Sequence, residues 1–204
     1  MRQALASILE ESGRLDEAVA QRRRILDDCL GRGSADDLAT RRATVSLTAA
    51  QGAAAKHHGF AADAERLFAE GVEIALSDLG PADSLTQSVA IRHAALQYTS
   101  GQVDSAERTL RAVLAAAEPW QGSVTAVEMT ATMNALAGLL EQTDRIDEGL
   151  SLRRTILRAA LDHYGSESEQ AQRASRAVMS TIRARDSRKA AGSGSSASDA
   201  GTNP

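Results

Sequence analysis

The side chains capable of chemistry in this sequence are few and scattered. Cys29 is the lone thiol and follows Asp27 and Asp28. A reactive thiolate needs positive surroundings, so these carboxylates argue for a structural cysteine. One cysteine also excludes an internal disulfide and a multi-cysteine zinc site. His57 and His58 are adjacent, and neighbours on a helix point about 100° apart, so the pair cannot chelate one metal by itself. With Lys56 they read as a solvated helix end before Gly59. His163 falls near the end of a helical stretch, where a cation suits the helix dipole. No GxxxxGK[ST] or GxGxxG phosphate loop, no HExxH zinc motif and no GxSxG nucleophile turn occurs. The sequence therefore reads as non-enzymatic, with no cofactor and no metal.

The basic runs at Arg22–Arg24, Arg41–Arg42 and Arg153–Arg154 are the next candidates, as a nucleic-acid footprint. They sit on separate elements, alternate with acids, and belong to a chain of net charge −4 with 2% aromatic residues. Neither the field nor the stacking platforms for nucleic acid are present. Only two of the 23 basic residues are lysine, which points to a GC-rich bacterial genome. Trp120, after Pro119, reads as a loop packing anchor, with a partner contact as the sharper alternative.

The elements that carry these residues follow from composition and periodicity. The chain has 204 residues, 43% of them hydrophobic, with abundant alanine and three prolines. A core poor in aromatics must be made of alanine and aliphatics, which favours closely packed helices over a β-sandwich. There is no apolar run of about 18 residues and no signal peptide, so a cytoplasmic protein without membrane contact is expected.

Four short segments align: GRLDEA from Gly13, GFAADA from Gly59, GQVDSA from Gly101 and DRIDEG from Asp144, 46, 42 and 43 residues apart. Seven residues before each start stands Ala6, Gly52, Ala94 or Ala137; five after it stands Ala18, Ala64, Ala106 or Gly149. Two helices joined by a tight turn approach closely only where side chains are small. The turn glycine supplies a left-handed residue to end the first helix, and Asp144 is a residue that tolerates that conformation. Asp16, Asp104 and Asp147 should cap or charge the start of the second helix. A longer polar loop, as in LGPADSLT, joins one pair to the next.

The spacing predicts helices A and B at about 1–12 and 16–30, 37–57 and 61–79, 83–99 and 103–118, 123–142 and 146–163, then a last helix over about 167–185. Apolar residues recur on the B helices, as at Ile25, Leu26 and Leu30. The same register places His93 in a column with Leu5 and Leu136, as a core residue. The Gly-, Ser- and Ala-rich tail over 187–204 should be disordered. The first helix is clipped, which suggests that the chain is the C-terminal part of a longer array or forms a homo-oligomer through its N-terminal end.

This pattern resembles the tetratricopeptide repeat, in the longer kinesin-light-chain form of about 42 residues. The likeness rests on the small columns, the turn residues and the LGPADSLT loop. At a helix-B site that the family usually fills with an aromatic, Phe68 and Leu110 stand in the inner repeats and Arg22 and Arg153 in the outer ones. The resemblance implies an all-α, right-handed α-solenoid of four repeats (1–35, 36–81, 82–121, 122–165), a capping helix (166–186) and thus one repeat domain over 1–186. It further implies that helix A lines a concave face. Carried over by position, that face holds Lys56, His57, Arg92, Tyr98, Asn134, Glu141 and Gln142, with Glu10 and Glu11 at the equivalent places of the first repeat. The function implied is a non-catalytic scaffold binding a protein or peptide partner. The alternative is a sensor or oligomerisation part of a larger bacterial signalling protein.

Overall fold

The computed structural model describes residues 2–117 and 123–195. Among them there are ten helices and no strand. The chain divides into two compact units, residues 1–120 and 121–204, where the sequence reading drew one domain over 1–186. Unit 1 holds α1 (Arg2–Glu11), α2 (Leu15–Leu30), α3 (Leu38–His57), α4 (Ala61–Asp78), α5 (Ser84–Thr99) and α6 (Val103–Ala117). Each packs on the next in sequence. Unit 2 holds α7 (Ser123–Glu128), α8 (Thr130–Gln142), α9 (Ile146–Tyr164) and α10 (Glu169–Ser195), with α7, α8 and α10 all packed on α9.

The tight turn is the same object four times. Gly13, Gly59, Gly101 and Asp144 have φ of 75°, 81°, 78° and 64°. The residue after each (Arg14, Phe60, Gln102, Arg145) donates its N–H to the carbonyl five residues back, on Leu9, Ala55, Gln97 and Leu140, at 2.8–2.9 Å. Its own carbonyl then accepts the N–H of Ala18, Ala64, Ala106 or Gly149. One residue therefore closes the first helix in a Schellman bond and opens the second. Asp16, Asp104 and Asp147 lie in the first turn of the second helix, where negative charge suits the dipole. No side chain caps α2 or α9, so the expected aspartate cap is replaced there by this backbone arrangement.

The small columns lie where helices touch. Ala6, Ala18, Ala64, Ala106 and Ala137 are fully buried, and Ala94, Gly52 and Gly149 are buried with them. A Cβ on Gly52 would stand 3.2 Å from the Phe68 ring, and one on Gly149 would stand 2.9 Å from the Ala137 carbonyl oxygen. Around the first of these sits the unit 1 core of Val45, Ala49, Ala64, Phe68, Ala75, Val89 and Leu96. In unit 2 the buried residues include Leu136, Leu140, Leu150 and Ile156, joined by Ala171, Ala174 and Val178 from α10.

Two elements differ from the sequence reading. The helix expected over 123–142 is broken at Met129 into α7 and α8, and the Thr130 hydroxyl donates to the Ala126 carbonyl across the break at 3.0 Å. The last helix, expected to stop near 185, continues to Ser195, into the stretch expected to be disordered. Extending an existing helix is far easier than nucleating one. Here Arg188 also donates to Asp144 at 2.8 Å, and Arg185 lies 3.6 Å from Asp147, tying α10 to the turn between α8 and α9. Residues 196–204, Trp120 and Pro119 lie outside the described residues.

Two glycines separate these effects experimentally. Gly149→Ala should lower the unfolding free energy by about 1–3 kcal/mol through overpacking. Gly138→Ala, in the same unit with nothing within 4 Å of its Cβ, should raise it by about 0.5–1 kcal/mol through helix propensity. Urea titration followed by circular dichroism reads both; equal shifts would refute the close-approach account.

Candidate functional site

Helices α1, α3 and α5 together line a groove of about 730 Å³ in unit 1. Its floor is α3, with Ser46, Ala49 and Ala53 leading to Lys56 and His57. One wall is α1 (Ser7, Glu10, Glu11) and the other α5 (Leu85, Ser88, Val89, Arg92, Ala95). Phe68 of α4 and Leu15 and Arg22 of α2 reach the same space. The centre is small and apolar because helix A must stay slim where helix B crosses it. Glu10, Glu11, Lys56 and His57 stand beside the turns, while Arg22 and Arg92 come from the middle of α2 and α5.

Glu10 organises the charge. Its Oε1 accepts from Arg22 Nε at 3.0 Å, within the first hairpin. Its Oε2 accepts from both terminal nitrogens of Arg92 on α5, at 3.3 and 3.4 Å. The Glu10 side chain is only 13% exposed, so a carboxylate there requires such partners. Arg22 also donates to Ser7 at 3.3 Å. At the C-terminal end of α3, His58 Nε2 lies 3.0 Å from Asp16. Outside the groove, the Arg14 guanidinium is held above its ordinary value by its hydrogen bond to Glu17 and then by that carboxylate's charge.

A second polar cluster joins α4, α5 and α6. His93 Nε2 and Gln97 Nε2 each lie 2.9 Å from Glu65 Oε1, and Thr109 donates to Gln97 Oε1 at 2.9 Å. His93 is buried, as its column predicts. Its role is to join repeats, since the bonds run from one hairpin to the next.

Of the seven residues assigned from sequence, Lys56, His57 and Arg92 share the unit 1 groove. Tyr98 is on α5 and exposed, outside the groove lining. Asn134, Glu141 and Gln142 belong to unit 2. Asn134 lines a groove of about 440 Å³ with residues of α9 and α10, among them Ile156, Tyr164 and Ala174. Glu141 is taken up by Arg153, whose Nε donates to it at 2.9 Å, and by the Thr181 hydroxyl of α10 at 2.8 Å. Arg153 also donates to Asn134 at 2.7 Å. Gln142 is exposed. The roles of Arg22, Arg153 and Thr181 were not foreseen. The available signal was opposite charge at the same two columns in the first and fourth repeats, Glu10 with Arg22 and Glu141 with Arg153. Among the described residues no three His, Cys, Asp or Glu side chains converge as metal ligands would, and no helix is long and apolar enough to cross a membrane.

The Glu141–Arg153 pair should show its coupling in a double-mutant cycle. Arg153→Leu alone should cost about 1–3 kcal/mol by stranding a part-buried carboxylate. Adding Glu141→Leu should return a large part of that, with a coupling of about 1–2 kcal/mol in denaturant titrations. Additive losses would show that the pair contributes nothing.

No protein-family model matches the chain, and no curated protein sequence does. Solved structures do. A Podosopora anserina protein of nearly identical TPR-like repeats, described as a kinesin light chain, aligns with 94% of this chain and 89% of its own at TM-score 0.61 and 17% identity. A single-substitution variant of it aligns with the same TM-score. BtubC (BKLC) from P. vanneervenii aligns with 100% of this chain and 81% of its own at TM-score 0.59 and 13% identity. Identities this low speak to architecture. The chain has the all-α, solenoid-class fold of tetratricopeptide-like helical repeats, in the form seen in kinesin-light-chain-like proteins.

Proposed function

We propose that this chain is a non-catalytic scaffold that binds a peptide segment or a partner domain in the helix-A groove of unit 1. The observation that carries this reading is the groove itself: three successive A helices converge on about 730 Å³ with a small apolar centre and charged ends. Such a surface suits an extended peptide or a helix, whose side chains fill the centre while polar groups meet the ends. Lys56, His57 and Arg92 supply the contacts there, with Tyr98 beside them on α5. Asn134, Glu141 and Gln142 act in unit 2, where Asn134 faces the smaller groove. The repeats run over 1–35, 36–81, 82–121 and 122–165, with 166–186 as the cap. The partner is protein, not nucleic acid or a membrane: net charge −4 and few aromatics support this. The protein acts in a bacterial cytoplasm on this reading.

Panning a random peptide library against the full chain, then measuring hydrogen exchange with a selected peptide, tests the assignment. Amides of α1, α3 and α5 should gain protection, and Lys56→Glu with His57→Ala should weaken the peptide at least tenfold. Protection confined to α2, α4 and α6 would contradict the groove.

One observation favours a second reading, as an oligomerisation part of a larger signalling protein. Ile8 on α1 is 59% exposed, although the same column holds Ala54, Leu96 and Leu139 at 8%, 5% and 7%. Leu5 beside it is exposed too. On this reading a second copy covers that face, and light scattering should give a dimer that Ile8→Glu converts to monomer. A wild-type monomer at high concentration would remove this reading.

A further inference from the structure

We propose that the Arg92–Glu10 ion pair is a strap that holds the unit 1 groove closed, and that the first hairpin swings away when the pair is broken. The two residues are 82 positions apart in sequence. They belong to α5 and α1, the two walls, while α3 between them is the floor. Both terminal nitrogens of Arg92 address one oxygen, Glu10 Oε2, at 3.3 and 3.4 Å. The other side-chain bonds of α1 to another helix run to α2: Arg2 to Asp28, and Arg22 to Glu10 and Ser7. The strap thus joins the first hairpin to a helix with which it shares no turn.

The hairpin it restrains packs on α3 through α2, and Asp16 meets His58 at 3.0 Å, but it buries few side chains. Buried residues are Ala6 and Leu9 on α1 and Ala18 alone on α2, against nine on α3. Segments with few buried contacts open at the lowest free energy. Leu5 and Ile8, which would otherwise hold α1 in place, are exposed. The two oxygens of Glu10 divide the work. Oε1 stays with Arg22, whose side chain is 15% exposed, so the carboxylate keeps its position when the strap opens. The Arg92 side chain is 43% exposed, so the outer half of the strap faces water and its attraction is screened by salt. Between the two walls the floor carries the small side chains of Ala49 and Ala53.

Closure is a property of unit 1 alone. Only its consequence for docking rests on the groove reading: a partner that reaches Ala49 and Ala53 must open the strap or replace one of its ends. Docking and ionic strength are then linked through that ion pair.

The test needs no partner, so it stands or falls apart from the groove reading. Nitroxides are placed at Ile8→Cys and Ser100→Cys in the full chain, with Cys29→Ser as background, and their separation is measured by pulsed dipolar spectroscopy. At low salt the wild type and Arg92→Lys should share one short, narrow distance. Arg92→Gln should lengthen it by several ångström and Arg92→Glu, which repels Glu10, by more. Molar sodium chloride should bring the wild type to the Arg92→Gln distance. Circular dichroism at matched helix content confirms that every variant is folded. Identical distances in wild type, Arg92→Gln and Arg92→Glu at low salt would overturn the strap. So would equal lengthening in Arg92→Lys, because the effect would then not depend on charge.

Discussion

The close approach of one helix to the next sets the geometry of everything else. In unit 1 the Phe68 ring of α4 lies against Gly52 of α3, with 3.2 Å from ring carbon to the place of a Cβ. Val89 of α5 in turn lies 3.1 Å from the place of a Cβ on Gly71 of α4. A bulky group meets a glycine first within the hairpin and then between hairpins. Interaxial distance follows the side chains at the crossing, so these two glycines fix where α3 and α5 stand relative to α4. The width of the groove that α3 and α5 help to line is a consequence of that spacing.

The turns hold the same geometry by other means. Because Arg14, Phe60, Gln102 and Arg145 each bond backward to one helix and forward to the next, no loose connection remains between the two. This explains why the turn columns were readable in sequence: the left-handed position admits few residues, and Asp144 fills it as the glycines do. Helix bounds were readable to a residue or two for the same reason. Features set at a distance were not. The extension of α10 to Ser195 depends on arginines that meet an acidic turn about 40 residues earlier, and local composition there reads as a flexible tail. The break at Met129 leaves no mark in the apolar periodicity.

The site was legible in part, for a related reason. Periodicity places residues on a helix face, and on that basis Lys56, His57 and Arg92 were assigned to one surface, where they do share a groove. It does not report which long side chain from a neighbouring helix arrives to meet them. Asn134 and Glu141 have the right face, yet Arg153 from α9 reaches both. Nor does it report that the charges match at two columns, three residues before the turn and nine after it.

Those two columns separate the outer repeats from the inner ones. Lys56 stands with Phe68 and Tyr98 with Leu110, whereas Glu10 stands with Arg22 and Glu141 with Arg153. An apolar helix-B residue needs only volume, but a carboxylate drawn out of water needs its lone pairs met. The degree of burial decides how. Glu10, 13% exposed, takes one arginine on each oxygen; Glu141, 25% exposed, takes one arginine and a neutral hydroxyl. More desolvation is thus matched by more positive charge. In both cases the extra partner comes from a later A-type helix, α5 or α10, rather than from the hairpin itself. The substitution of an ion pair for an apolar contact therefore changes more than local packing. It extends a contact confined to one hairpin to a later helix, and where that link is ionic, as between Glu10 and Arg92, it can respond to ionic strength in a way that Phe68 or Leu110 cannot.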